Sequence, residues 1–181
     1  MLSNRIPIIV AAVVAFGCSE TAVAPTAQSN GPRLQASVGS QVVHRVTVGG
    51  PDGCAAIGFK PGCDANFSLV ALERADGSVT GQWHDQFSLG GLQGTGIHVA
   101  VNCLNIIGNQ AWVSGVITHT SSPFFSVGQD VLTTVVDNGR SANDPADQIS
   151  FSNIGTGIDC NAAPAFGLPL LSVPQGQVVV N

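Results

Sequence analysis

The sequence predicts an all-β fold: a single antiparallel barrel or sandwich of about eight strands. Three observations lead to this prediction. Runs of apolar and β-branched residues recur along residues 38–181, and each run ends at Gly, Asn, Asp or Pro. The chain has 22 glycines, and only 9% of its residues are charged, against about 25% in a typical soluble protein. No stretch of this region is a convincing helix.

The first predicted strand is the valine-rich run 42–48, which stops at Gly49 and Pro51. A hairpin follows, because Asp76–Gly77 lies between two apolar-rich runs. A two-residue turn there would place Trp83 opposite Val70. By the two-residue period of a strand, one face of the second hairpin strand is apolar and faces the core, and the other is polar. The apolar face carries Val79, Gly81, Trp83, Asp85 and Phe87, and the polar face carries Thr80, Gln82, His84 and Gln86.

A second hairpin is predicted around Gly108–Asn109, joining strands 97–107 and 110–120. Both faces of these strands are substantially apolar, which predicts a central place in the sheet. A two-residue turn sets Cys103 opposite Ser114, and His98 opposite His119. Three further strands are predicted at Gln129–Asp137, Gln148–Asn153 and Gln177–Val180.

The N-terminus resembles the export signal of a bacterial lipoprotein. Arg5 precedes the eleven-residue apolar run Ile6–Phe16, and Gly17–Cys18 follows. The run is shorter than the roughly 20 residues that span a bilayer and fits a signal-peptide core. The resemblance implies lipidation at Cys18, with residues 1–17 as signal peptide, 18–37 as flexible tether and 38–181 as β-domain. Plain secretion, with cleavage near residues 22–24, is the alternative.

The same resemblance implies a location in the cell envelope. The protein would be extracytoplasmic and attached to the membrane through its N-terminal lipid. Ser19 follows Cys18, and this resembles the lipoproteins sorted to the outer membrane in bacteria that have two membranes. Residues 66–153 loosely resemble an uncharacterised β-domain of secreted bacterial proteins, through the segments GSVTGQW, IHVAVNC and DQIS. That likeness supports fold and compartment only.

With Cys18 set aside, four cysteines remain, and an even count in an exported chain predicts two disulfides. Cys54 and Cys63 bracket a short Gly- and Pro-containing loop, so we pair them. Cys103 then pairs with Cys160 by elimination. Zinc ligation is the competing interpretation, but the spacing lacks the CxxC pairs typical of such sites.

Charge excludes one class of partner. The formal net charge is −5, and removal of Arg5 with the signal makes it −6. Lys and Arg form no cluster, so nucleic-acid binding has no electrostatic basis. The identity of a protein or glycan partner is beyond the sequence.

Two groups of residues are candidate metal ligands. His98 and His119, with His84 nearby, would share one face of a sheet and could bind a metal; solvated histidines are the alternative. Asp137, Asp144 and Asp147 lie in a segment rich in oxygen ligands that could hold Ca²⁺. Turn formation by Asx side chains is the alternative there.

Trp112, near a hairpin tip, is the candidate for a ligand-binding aromatic at the surface, whereas Trp83 is expected in the core. No nucleophile elbow, P-loop, dinucleotide fingerprint or HExxH motif is present. The sequence therefore predicts no catalytic residue and no cofactor, and it favours a binding or structural module. An unrecognised secreted hydrolase or metal-dependent enzyme is one alternative, and a lipocalin-like carrier of a small apolar ligand is another.

Overall fold

A computed structural model describes residues 38–51, 66–87, 94–141, 143–165, 167–173 and 176–181. All of them belong to one of the chain's two units, Ala36–Asn181; the other unit, Met1–Gln35, lies outside the described residues together with the predicted signal, tether and Cys18. The described residues form ten strands: β1 (Val42–Pro51), β2 (Asn66–Arg74), β3 (Val79–Phe87), β4 (Thr95–Ile107), β5 (Gln110–Thr120), β6 (Asp130–Val136), β7 (Gln148–Ser150), β8 (Asn153–Gly155), β9 (Leu170–Ser172) and β10 (Gln177–Val180).

The all-β prediction is confirmed, and the strands form one antiparallel sheet that curves into a half-barrel. The strand order is β10-β1-β2-β3-β4-β5-β6-β7-β9, and β8 pairs with β6 beside β7. The described residues thus contain two strands more than the eight expected. The predicted strand 148–153 is divided into β7 and β8, and β9 has no clear signal in the sequence.

The inner face of the sheet carries the main hydrophobic core. Along β2, Phe67, Leu69 and Ala71 are buried while the residues between them are exposed, as expected for a strand with one face in the core. On β3, Trp83 and Asp85 are buried and the opposite face is more exposed, which confirms the predicted faces. The other buried members of this core are Val46, Val48, Ile97, Val99, Val101, Leu104, Ala111, Val113, Ile117, Val131, Val135, Ile149, Val173 and Val178.

The first hairpin is present, but its predicted register is wrong by one residue. The amide of Arg74 donates to the carbonyl of Ser78, and the turn between them has three residues, with Gly77 at a φ of 79°. Trp83 therefore lies opposite Leu69 instead of Val70. The physical reason is burial: partners directly opposite each other share a face, and only this register places Trp83 and Leu69 together in the core.

The second hairpin is confirmed, with Ile107 opposite Gln110 and a positive φ of 64° at Gly108. A glycine with positive φ at the first turn position is typical of a type II′ turn. The predicted central place of β4 and β5 is also confirmed, since β3 and β6 flank them.

Two carboxylates join the two ends of the sheet. The buried Asp147 precedes β7 and accepts hydrogen bonds from the amides of Asn138 (2.9 Å) and Val178 (2.6 Å). Asp137, just after β6, accepts one from the amide of Val180 (3.0 Å). Val178 and Val180 lie on β10, at the opposite end of the strand order. Side-chain oxygens thus take the place of a backbone ladder between β10 and the segment after β6.

A second, smaller core lies on the outer face of the sheet. It consists of Trp112, Leu132, Cys160 and Ala163, and residues 156–165, here the outer segment, contribute to it. Asp130 fixes this segment by accepting hydrogen bonds from Gly157 (2.6 Å) and Ile158 (3.3 Å). The outer segment therefore covers the sheet where β5 and β6 meet.

The predicted disulfide between Cys103 and Cys160 is confirmed, with a Cα–Cα distance of 6.0 Å. It joins β4 to the outer segment and is the disulfide that the described part of the chain contains. Cys54 and Cys63, the other predicted pair, lie outside the described residues.

Candidate functional site

Three of the chain's four histidines form a row across the outer face of the sheet. His84 on β3 lies directly opposite His98 on β4, and His98 lies directly opposite His119 on β5. The ring centroids of His84 and His98 are 4.4 Å apart, and those of His98 and His119 are 5.5 Å apart. We call these residues the histidine row. The predicted pairing of His98 with His119 is confirmed, and His84 extends it by one strand.

A β-bulge places His119 in the row. Ile117 faces the core, so regular alternation would turn His119 inward as well. Thr118 is instead an extra residue in the β4–β5 register, and its hydroxyl donates to the carbonyl of His98 (3.1 Å). The bulge shifts His119 to the outer face, opposite His98. Bulges often redirect a side chain at functional positions.

A second bulge, at Asn102 on β4, compensates for the first. Between them the register is displaced by one residue, with Val101 opposite Gly115. Beyond Asn102 the register returns to the predicted one, so that Cys103 lies opposite Ser114. The predicted partners on both sides are therefore confirmed, while those between the bulges are wrong by one residue.

The histidine row borders a cleft of about 470 Å³ on the outer face. Small residues, Gly81 and Ala100, line it, together with Val70, Gln82 and Thr118. His84 and His98 also line it, and they are the ionisable side chains among its described lining residues. The cleft thus offers imidazole, amide and hydroxyl groups beside a small apolar surface.

Electrostatics favour the neutral form of His84. Partial burial lowers the pKa of His84 below its ordinary value of 6.5, and the charge of His98 lowers it further. The neighbour of His84 on β2 is Ser68, which carries no charge. Within the described residues, no hydrogen bond joins an imidazole of the row to a carboxylate or a hydroxyl. Among the described residues, no other protein group therefore binds the nitrogen lone pairs of the row.

The lowered pKa of His84 predicts a loss of stability in acid. The folded state binds a proton at His84 less readily than the unfolded state, so the free energy of unfolding falls as the pH drops below 6.5. We expect His84→Gln to reduce the loss of stability between pH 7 and pH 5, measured by urea unfolding at each pH. His44→Gln, which removes the histidine outside the row, is the control and should keep the wild-type loss. An identical pH dependence in His84→Gln and wild type would contradict this assignment.

The three candidate calcium ligands do not form one site. Both oxygens of Asp137 and both of Asp147 accept backbone hydrogen bonds, and Asp144 accepts one from Ser141 (2.7 Å). Among the described residues, the group of three ligand-type side chains that come close enough together to share a metal is Cys103, Asp159 and Cys160. Its two cysteines are joined in the disulfide, which leaves a single carboxylate.

Trp112, expected at the surface, is buried: only 7% of it is exposed, because the outer segment packs over it. The long-range packing of residues 156–165 on β5 has no signal in the local sequence pattern. Trp83 is in the core as expected, with its ring 5.4 Å from that of Phe67. The sequence therefore predicted the histidine pair, but it predicted neither the cleft beside this pair nor the packing of the outer segment over Trp112.

No protein-family model, curated protein or solved structure matches the chain. Its class is therefore defined by its own fold and site, as an all-β domain with a histidine row on the outer face of a curved sheet. No helix among the described residues is long and apolar enough to cross a membrane.

Proposed function

We propose that this protein is a lipid-anchored, extracytoplasmic β-module that binds a ligand on the outer face of β2–β5. The observation that carries the binding role is the histidine row beside the cleft. Imidazoles are scarce in this chain, which has four, and three of them meet in one row. The row is exposed at His98 and His119, so a ligand can reach it without any opening of the fold.

The compartment is supported by two independent features. Disulfides persist in oxidising compartments outside the cytoplasm, and the Cys103–Cys160 disulfide supports such a location. The lipoprotein-like signal, with Cys18 as the lipidated residue, supplies the anchor in this proposal. A second disulfide between Cys54 and Cys63 is part of the same proposal.

The packing of the interior favours this role over that of a carrier. In the described part of the chain, eighteen buried hydrophobic residues occupy the inner core, with Trp83 and Leu69 among the largest. A carrier of apolar ligands needs an internal cavity in that region.

The histidine row also favours a binding role over that of an enzyme. A catalytic histidine base is oriented by a hydrogen bond to a partner group. Within the described residues, the imidazoles of the row have no such hydrogen bond.

The proposal is tested by histidine footprinting with diethyl pyrocarbonate, which modifies accessible neutral imidazoles. Intact cells and the purified chain are treated in parallel, and the modification of each histidine is read by peptide mass spectrometry. We expect His98 and His119 to be modified less in cells than in the purified chain, because a ligand covers the row. His44, exposed on β1, is the internal control and should be modified equally in both.

Equal modification of His98 in cells and in the purified chain would contradict ligand binding at the row. The anchor is read from the same preparation, since mass spectrometry of the mature N-terminus should find an acylated Cys18. A mature chain that begins beyond Cys18 would overturn the lipid anchor and leave plain secretion.

A further inference from the structure

We propose that His98, with His84 or His119 as its second protein ligand, binds a late first-row divalent metal ion, copper(II) foremost, on the outer face of the sheet. The inference rests on the proposed binding function of the histidine row and names the chemistry of its ligand. It uses side chains that already touch one another in the structure.

The spacing of the rings suits a shared metal ion. Residues directly opposite on antiparallel strands have Cβ atoms about 4.5–5.5 Å apart. Two imidazole nitrogens at about 2.0–2.1 Å from one metal, in neighbouring coordination positions, place their ring centroids roughly 4.5–5 Å apart. The observed centroid distances, 4.4 Å for His84–His98 and 5.5 Å for His98–His119, lie on either side of this value.

Coordination requires the rings to rotate from the arrangement in the structure. The rings of His84 and His98 are stacked at 28°, so their nitrogens must turn toward a common point. The terminal torsion of histidine is soft, so a rotation of each ring costs little energy. The backbone positions are already fixed by the sheet register and by the Thr118 bulge.

The donor set selects the kind of metal. Neutral imidazole suits copper, nickel and zinc, whereas calcium and magnesium require oxygen ligands. No carboxylate is among the described residues that line the cleft. With nitrogen donors alone, affinity follows the order that places copper(II) above nickel(II) and zinc(II). Two protein ligands leave the remaining metal positions open to water or to an external molecule.

His98 is the residue that both possible pairs share. His84 and His119 lie on either side of it, two strands apart, so they are alternative partners. Loss of His98 removes both pairs, while loss of one flanking histidine leaves the other pair. This unequal dependence distinguishes the row from three independent surface histidines.

The test is calorimetric titration of the full-length chain with CuCl₂ at pH 7.5, in the presence of glycine as a weak competitor. We expect one copper(II) ion per wild-type chain at the row. His98→Gln should weaken binding on the order of 100-fold, since loss of even an outer-shell partner costs about 10- to 100-fold. His84→Gln or His119→Gln alone should weaken it about twofold, the mass-action effect of losing one of two alternative pairs. The double variant should match His98→Gln.

His44→Gln is the matched control and should bind like wild type. The proposal is overturned if His98→Gln retains wild-type affinity, or if the three row histidines contribute equally. A wild-type chain that binds no copper(II) also overturns it. In that case, protection of His98 in cells would still support the binding function and would assign it a ligand other than a metal. All four substituted histidines are at least partly exposed, so circular dichroism should show that the variants fold.

Discussion

Replacing Cys103 and Cys160 by serine is expected to lower the free energy of unfolding by about 4 kcal/mol. The disulfide closes a loop with a sequence separation of 57, and the chain-entropy model assigns about this value to such a loop. For a domain of this size the melting temperature should fall on the order of 10 °C. The bond also fixes the outer segment over Trp112, so its loss should expose that indole and shift its fluorescence to longer wavelength.

Urea unfolding and tryptophan emission of the double variant measure both effects. Reduction of the wild-type chain should reproduce the change in emission. Trp112→Phe in the double-variant background is the control, because it removes the indole assigned to the shift and leaves Trp83 in the main core. A loss of stability below about 1 kcal/mol, the level of an ordinary substitution, would contradict the constraint assigned to this bond.

Gly115→Ala is expected to lower the free energy of unfolding by about 3 kcal/mol, at the upper end of the usual range for overpacking. An added Cβ would lie 2.2 Å from the carbonyl oxygen of Ala100 and 2.8 Å from a methyl group of Val99. The carbonyl belongs to the β4 backbone and cannot rotate away as a side chain can. Gly115 lies opposite Val101, and so does Gly81 from the other side, and at both glycines a neighbouring backbone carbonyl lies close to where a Cβ would be.

Gly49→Ala in β1 is the matched control, because an added Cβ there meets no atom within 4 Å. We expect this control to be neutral or to stabilise by up to about 1 kcal/mol, since alanine restricts the unfolded chain. Both variants are compared by urea unfolding, and a Gly115→Ala chain that does not fold is the extreme form of the expected result. Equal stability of the two variants would show that close backbone contact at Gly115 does not shape the sheet.

Most of the strands could be predicted from the sequence, because the alternation of apolar and polar residues and the residues typical of turns are local signals. β5 and β10 have the predicted bounds, and the type of turn at Gly108 follows from its sequence. The register of the first hairpin did not follow, because Asp76–Gly77 is compatible with two- and three-residue turns. The choice between them depends on which register buries Trp83 with Leu69, and that is a tertiary effect.

The candidate site was predictable in part for the same reason. His98 and His119 pair because the two bulges displace the register only between them. The pattern of apolar residues does not predict the bulges themselves. Burial of Trp112 depends on the outer segment, which lies about 50 residues further along the chain and is fixed by the disulfide and by Asp130. Local periodicity carries no information on that contact.

The central claim is that the histidine row acts as one metal-binding unit. The most direct measurement is the nuclear magnetic resonance spectrum of the ¹⁵N-labelled histidine side chains in the full-length chain, during titration with ZnCl₂ at pH 7.5. We predict that the imidazole signals of His98, His84 and His119 shift together as zinc is added, while the signal of His44 stays in place. If His44 shifts as strongly as His98, or if the row is unaffected by the metal, the claim is contradicted.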